Sequence, residues 1–120
     1  MWHKITIVGR LGKDVELRYT PDGKAVASFS VAVDDGFGEN KKTIWFRVSV
    51  WGKQAEPCNQ YLKQGSIVLV DGRLTPDPKT GGPRVWKRQD GTIGTSFEIV
   101  ADTVRFLSPR DKGENETAAE

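Results

Sequence analysis

Thr43-Ile44-Trp45-Phe46-Arg47-Val48-Ser49-Val50-Trp51 alternates without a break. Its even positions, Ile44, Phe46, Val48 and Val50, are all apolar. Its odd positions are Thr43, Trp45, Arg47, Ser49 and Trp51. In a β-strand successive side chains point to opposite faces, so the even set makes a core face. The odd set then puts two tryptophans and an arginine on the wetter face, with neighbouring odd positions about 7 Å apart. The bland alternative buries both indoles. The even face already supplies the core, however, and a chain of 120 residues has no room for a second one.

The flanking segments read as strands around one short helix. Before the alternating stretch, Ile5 to Leu11 begins with the β-branched run Ile5-Thr6-Ile7-Val8, with a bulge or bend expected at Gly9. Thr20-Pro21-Asp22-Gly23 is a turn, because proline presets φ and glycine tolerates a positive one. Ala25 to Val33 alternates again, with Ala27, Phe29 and Val31 on the core side and Ser28 and Ser30 opposite. Asp34 to Lys42 is polar and reads as a loop.

After the alternating stretch, Gln54–Gln64 spaces Ala55, Cys58 and Leu62 as a one-sided helix, with Pro57 in its first turn and Gly65 beyond its end. Ser66 to Leu74 carries the run Ile67-Val68-Leu69-Val70, expected to be buried on both faces. Thr75 to Pro83 is a loop rich in Pro and Gly. Arg84 to Arg88 is expected to return along the preceding strand as the second arm of a long hairpin, with a further turn at Gln89-Asp90-Gly91. Ser96 to Leu107 closes the domain, with a break near Asp102. The domain is placed at residues 1–108 and a short acidic disordered tail at 109–120. Five strands with one helix between the third and fourth make an all-β chain of OB-fold connectivity, a five-stranded Greek-key barrel.

Composition removes several classes of function. Apolar residues make up 37% and charged residues 28%, and no 18-residue apolar run is present, so a membrane span is not expected. The start lacks the features of a secretory signal or transit peptide. A single cysteine and a single histidine, Cys58 and His3, argue against a disulfide, a cysteine zinc cluster or a two-histidine metal site. Cys58 lies on the helix's apolar stripe and reads as an inert core thiol. Asp34 and Asp35 read as solvated turn residues, and no phosphate-binding glycine loop occurs. No catalytic residues, metal or cofactor are therefore assigned, and the chain is not read as an enzyme. The net charge is +2, but residues 1–108 alone carry +4, which suits a polyanion without requiring one.

Single-stranded nucleic acid presents phosphates at regular intervals beside bases with exposed π faces. A general binder needs flat aromatic surfaces with cations alongside them. Trp45, Arg47 and Trp51 supply that pattern on one strand. Trp86 lies within the basic cluster Arg84, Lys87 and Arg88, where it either extends the platform or packs on the neighbouring strand. Phe37 sits in the loop ahead of the aromatic strand, with Lys41 and Lys42 behind it.

Segments 3–12, 18–23, 45–48, 51–53, 61–66 and 71–74 are together similar to the bacterial and mitochondrial single-stranded DNA-binding protein family. They include Gly9-Arg10-Leu11-Gly12, Trp45-Phe46-Arg47-Val48, Trp51-Gly52-Lys53 and Asp71-Gly72-Arg73-Leu74. The resemblance implies an OB-fold, commonly assembled as a homotetramer. It also implies coating of single-stranded DNA with little sequence preference during replication, recombination and repair. It assigns base stacking to Trp45, Trp51 and Trp86, and more loosely to Phe37. It assigns phosphate contacts to Lys4, Arg18, Arg47 and Lys53, which Arg84, Lys87 and Arg88 of the basic cluster would join. The implied setting is the bacterial cytoplasm, or the mitochondrial matrix for a chain freed of its transit peptide. The hairpin at 75–96 departs from the family pattern. So does the end of the chain, which lacks the usual acidic Ile-Pro-Phe tip, and recruitment of partner proteins through that tip is not expected. A protein-binding OB module with tryptophan anchors, or a dimeric primosomal DNA binder, would fit the same residues.

Overall fold

In the computed structural model, residues 1–108 are described; the acidic tail expected at 109–120 lies outside them. Five strands close the barrel: β1 (Ile5–Leu11), β3 (Ala25–Asp35), β4 (Lys42–Trp51), β5 (Ile67–Thr75) and β7 (Ile93–Phe106). Two short strands, β2 (Glu16–Tyr19) and β6 (Arg84–Lys87), pair outside the ring with β3 and β7. Around the ring β1 pairs β5, β5 pairs β7, β7 runs parallel to β4, and β4 pairs β3. The circle closes where Arg10 and Leu11 of β1 meet Ala32 and Val31 of β3. This closed ring, with one helix between β4 and β5, is the OB-fold expected.

Closure depends on two places where backbones nearly touch. A Cβ at Gly9 would lie 2.4 Å from the Ala32 carbonyl oxygen, and one at Gly72 would lie 2.2 Å from that of Val100. The glycine in β1 therefore marks a close approach, whereas a bulge or bend was expected there. The bulge lies in β7: Asp71 pairs with Thr103 and Gly72 with Ala101, which leaves Asp102 unpaired, where the sequence suggested a break. Gln54 repairs the ladder. Its side-chain amide donates to the Asp102 carbonyl at 2.8 Å and accepts from the Val104 N–H at 3.2 Å.

The core follows the alternating pattern. Phe29 and Val31 of β3, Val48 and Val50 of β4, Val68 and Val70 of β5 and Ile99 of β7 are all buried. Helix α1 (Ala55–Tyr61) adds Ala55 and Cys58, and Leu62 follows at its end. Burial pushes the Cys58 thiol up to about 11, so it stays a protonated apolar group. The helix stops at Tyr61, earlier than its apolar spacing suggested, because Leu62 has already turned extended. Gly65, at φ +92°, instead serves the turn into β5.

Four further expectations change. Asp34 and Asp35 continue β3, opposite Thr43 and Lys42, because ladder bonds join backbones and need no apolar side chains. Only residues 36–41 remain as the loop. Ser28 is buried although it lies on the outer face. Ile67 and Leu69 of β5 are only partly covered, so that run is buried on one face. Finally, β6 pairs with β7 through Arg84–Ser96 to Lys87–Ile93, so the hairpin joins β6 to an early start of the last strand and β5 takes no part in it.

Candidate nucleic-acid interface

The outer face of β4 lies beside small residues. In register, Trp45 is opposite Ala32, Arg47 opposite Ser30, and Trp51 opposite Val26. With little bulk on β3, the Trp45 indole reaches across that strand toward Gly12 at the end of β1. A Cβ at Gly12 would lie 2.6 Å from the Trp45 Cζ3 atom. Trp45 and Trp51 are 50% and 49% exposed. Both indoles are therefore only half covered by the protein. They lie six positions apart, about 20 Å along the strand.

Trp45, Arg47, Arg84, Trp86 and Arg88 line one cleft of about 530 Å³, with Ser30, Ser96 and Glu98 among its other residues. The cleft lies between β4 and the β6–β7 hairpin, so two tryptophans and three arginines line it together. Trp86 is 45% exposed and sits opposite Gly94. Arg84 reaches Asp77 at 4.0 Å, which ties the hairpin to the loop after β5.

The other sequence-derived residues are more scattered. Trp51 is at the far end of β4, in a row with Val26 and Arg18. Lys53 follows in the short 3-10 turn after β4. Phe37, 91% exposed, stands in the β3–β4 loop beyond the other end of that face. Lys87 points away from Trp86, on the opposite face of β6. Lys4 is placed with β1 and β5, where its ammonium meets the Asp71 carboxylate at 2.9 Å. That hydrogen-bonded ion pair raises the Lys4 pKa, and with a second bond from Thr6 it lowers that of Asp71. Among the described residues, no cluster of three or more His, Cys, Asp or Glu side chains is placed to hold a metal ion. None of their helices is long and apolar enough to cross a membrane.

The alternation rule did not mark Gly12 and Gly94, because neither carries a side chain to place on a face. The uninterrupted run of small outer residues on β3 (Ser28, Ser30 and Ala32) is the signal that could have pointed to a platform beside β4.

Comparison with known proteins places the chain in a family. The profile described as the single-strand binding protein family matches residues 2–107. A protein of Bacillus cereus named single-stranded DNA-binding protein is 40% identical over 116 residues, covering 94% of this chain and 64% of that protein. One of the same name from Neisseria meningitidis is 34% identical over 115 residues, covering 92% of this chain and 62% of its own length. The single-stranded DNA-binding protein 2 of Listeria innocua is 39% identical over 122 residues, covering 98% of this chain and 72% of that protein. The chain thus spans 62–72% of the length of these relatives.

Proposed function

The chain belongs to the single-strand binding protein family, and from that premise we propose that it binds and coats single-stranded DNA. Binding is largely independent of sequence, involves no catalysis, and serves replication, recombination and repair. The observation that carries this reading is the outward face of β4, where half-exposed Trp45 and Trp51 flank an exposed Arg47. Stacking is sequence-tolerant because every base has a π face, and each stacked base contributes roughly 1–3 kcal/mol. Trp86 faces the same cleft and Phe37 extends the row of rings. Arg47 and Arg84 follow the phosphates through the cleft, Arg88 brings its charge to it, and Arg18 and Lys53 continue the basic track near Trp51, whereas Lys87 on the far face of β6 and Lys4, paired with Asp71, lie off it.

The protein acts as a homotetramer in the bacterial cytoplasm. Assembly is supported by apolar side chains away from the cleft. Half-exposed Val8 lies opposite Leu69, and the Tyr61 and Phe106 rings, with centroids 6.3 Å apart, are both exposed.

Titration with dT oligomers of increasing length at two salt concentrations tests the DNA reading. It should quench tryptophan fluorescence, with an affinity that falls steeply as salt displaces the gain from counterion release. Unchanged fluorescence with weak salt dependence would instead favour a protein-binding module.

A further inference from the structure

Trp86 is held by two groups of its own hairpin. Gly94 lies directly across the ladder from it. A Cβ there would fall 2.7 Å from Cε2, 2.8 Å from Cζ2 and 3.0 Å from Nε1 of the indole. Gly94 does not have a left-handed φ, so its conformation would accept alanine. Only the space under the ring demands glycine.

The second group is Arg88, whose guanidinium carbon lies 5.8 Å from the indole centroid. That guanidinium is engaged within the hairpin. Its Nη1 donates to the Ile93 carbonyl at 2.9 Å and to Thr92 Oγ1 at 3.4 Å. Thr92 is fixed in turn, because the Asp90 carboxylate accepts from its N–H at 3.0 Å and its hydroxyl at 2.7 Å. A guanidinium that lies over a ring while one of its nitrogens bonds the hairpin is a task for arginine, whose fixed, planar set of donors lysine lacks.

We propose that Gly94 and Arg88 are positioning residues for Trp86, a floor and a brace that present the indole to a base already oriented. The proposal rests on the single-stranded DNA reading, and it gives Arg88 a role distinct from following phosphates. It matters because all four residues of β6 are exposed, so no core packing fixes the ring. An indole ordered before binding loses less freedom when a base stacks on it.

The test uses the full chain with G94A, R88K, R88Q, W86A and the W86A/G94A pair. In free protein, the near-ultraviolet circular dichroism of G94A, R88K and R88Q should all depart from wild type in the tryptophan band. On dT, G94A and R88K should each bind about threefold to tenfold more weakly. R88K should keep the wild-type salt slope, and G94A should add nothing in the W86A background. Two results would overturn the proposal: R88K matching wild type in spectrum and affinity while R88Q lowers the salt slope by about 0.7, as loss of one phosphate contact would, or G94A weakening binding equally with and without Trp86. If wild type binds no dT, the DNA reading falls, and the spectra of free protein still decide whether Gly94 and Arg88 set the ring.

Discussion

Strands β4 and β6 each carry tryptophan beside arginine, yet their supports differ. β4 is paired on both sides, to β3 over ten rungs and to β7 over four, and its inward face is buried in the barrel. β6 is paired on one side over four rungs, and every residue in it is exposed. On β4 the core orients the indoles as a by-product of folding. On β6 local contacts must do so, with Gly94 beneath the ring and Arg88 against it. The proposed binding chemistry would therefore rest on tertiary packing in one region and on hairpin detail in the other.

The largest test of that contrast is stability. Phe29 is buried opposite Val48, so Phe29→Ala should cost about 3–5 kcal/mol in denaturant unfolding. Val85→Ala on exposed β6 should stay within about 0.5 kcal/mol. Comparable losses at both sites would mean that the hairpin belongs to the cooperative core.

Binding should show a smaller effect with a different ranking. Trp45→Ala and Trp51→Ala should each weaken dT binding by roughly 1–3 kcal/mol, with thermal midpoints close to wild type. Trp86→Ala should fall at the lower end of that range. A Trp86 loss larger than that at Trp45 would reverse the order of rigid and tenuous supports. Arg47→Gln is subtler: the slope of log affinity against log salt should flatten by about 0.7, which salt titrations of both proteins would detect.

The smallest effect is acid sensitivity confined to the hairpin. Hydrogen bonds from the Thr92 hydroxyl and N–H lower the Asp90 pKa. A lowered carboxyl stabilises the folded form above the ordinary aspartate value of about 3.9, and that help is lost as pH falls through the folded pKa. The Trp86 signal should therefore shift on acidification to below about pH 4 in wild type. In Asp90→Asn the shift should be absent.

How far the sequence could be read follows the same division. The β4 face was legible because period-two alternation reports burial directly, and Phe46, Val48 and Val50 had to go inward. The outward turn of Trp45 and Trp51 followed from it. The partner of Arg84–Lys87 was not legible. A short polar strand carries no burial pattern, and its pairing with Ile93–Ser96 is set by the 88–92 turn and by where β7 leaves the barrel. Asp34 and Asp35 were misread for a related reason, since a ladder can extend past its apolar stretch while backbone bonds and the Thr43 hydroxyl, 3.2 Å from Asp34, continue it. Of the candidate site, Trp45, Arg47, Arg84, Trp86 and Arg88 line one cleft, whereas Lys4 is engaged with Asp71 among β1 and β5.

Photocrosslinking reads the central claim most directly. A dT oligomer carrying 5-iododeoxyuridine, irradiated in complex with the chain and mapped by peptide mass spectrometry, should attach to Trp45 and Trp51, with a further adduct at Trp86. Adducts confined to Trp2, Tyr61 or Phe106, with none on β4, would contradict the account.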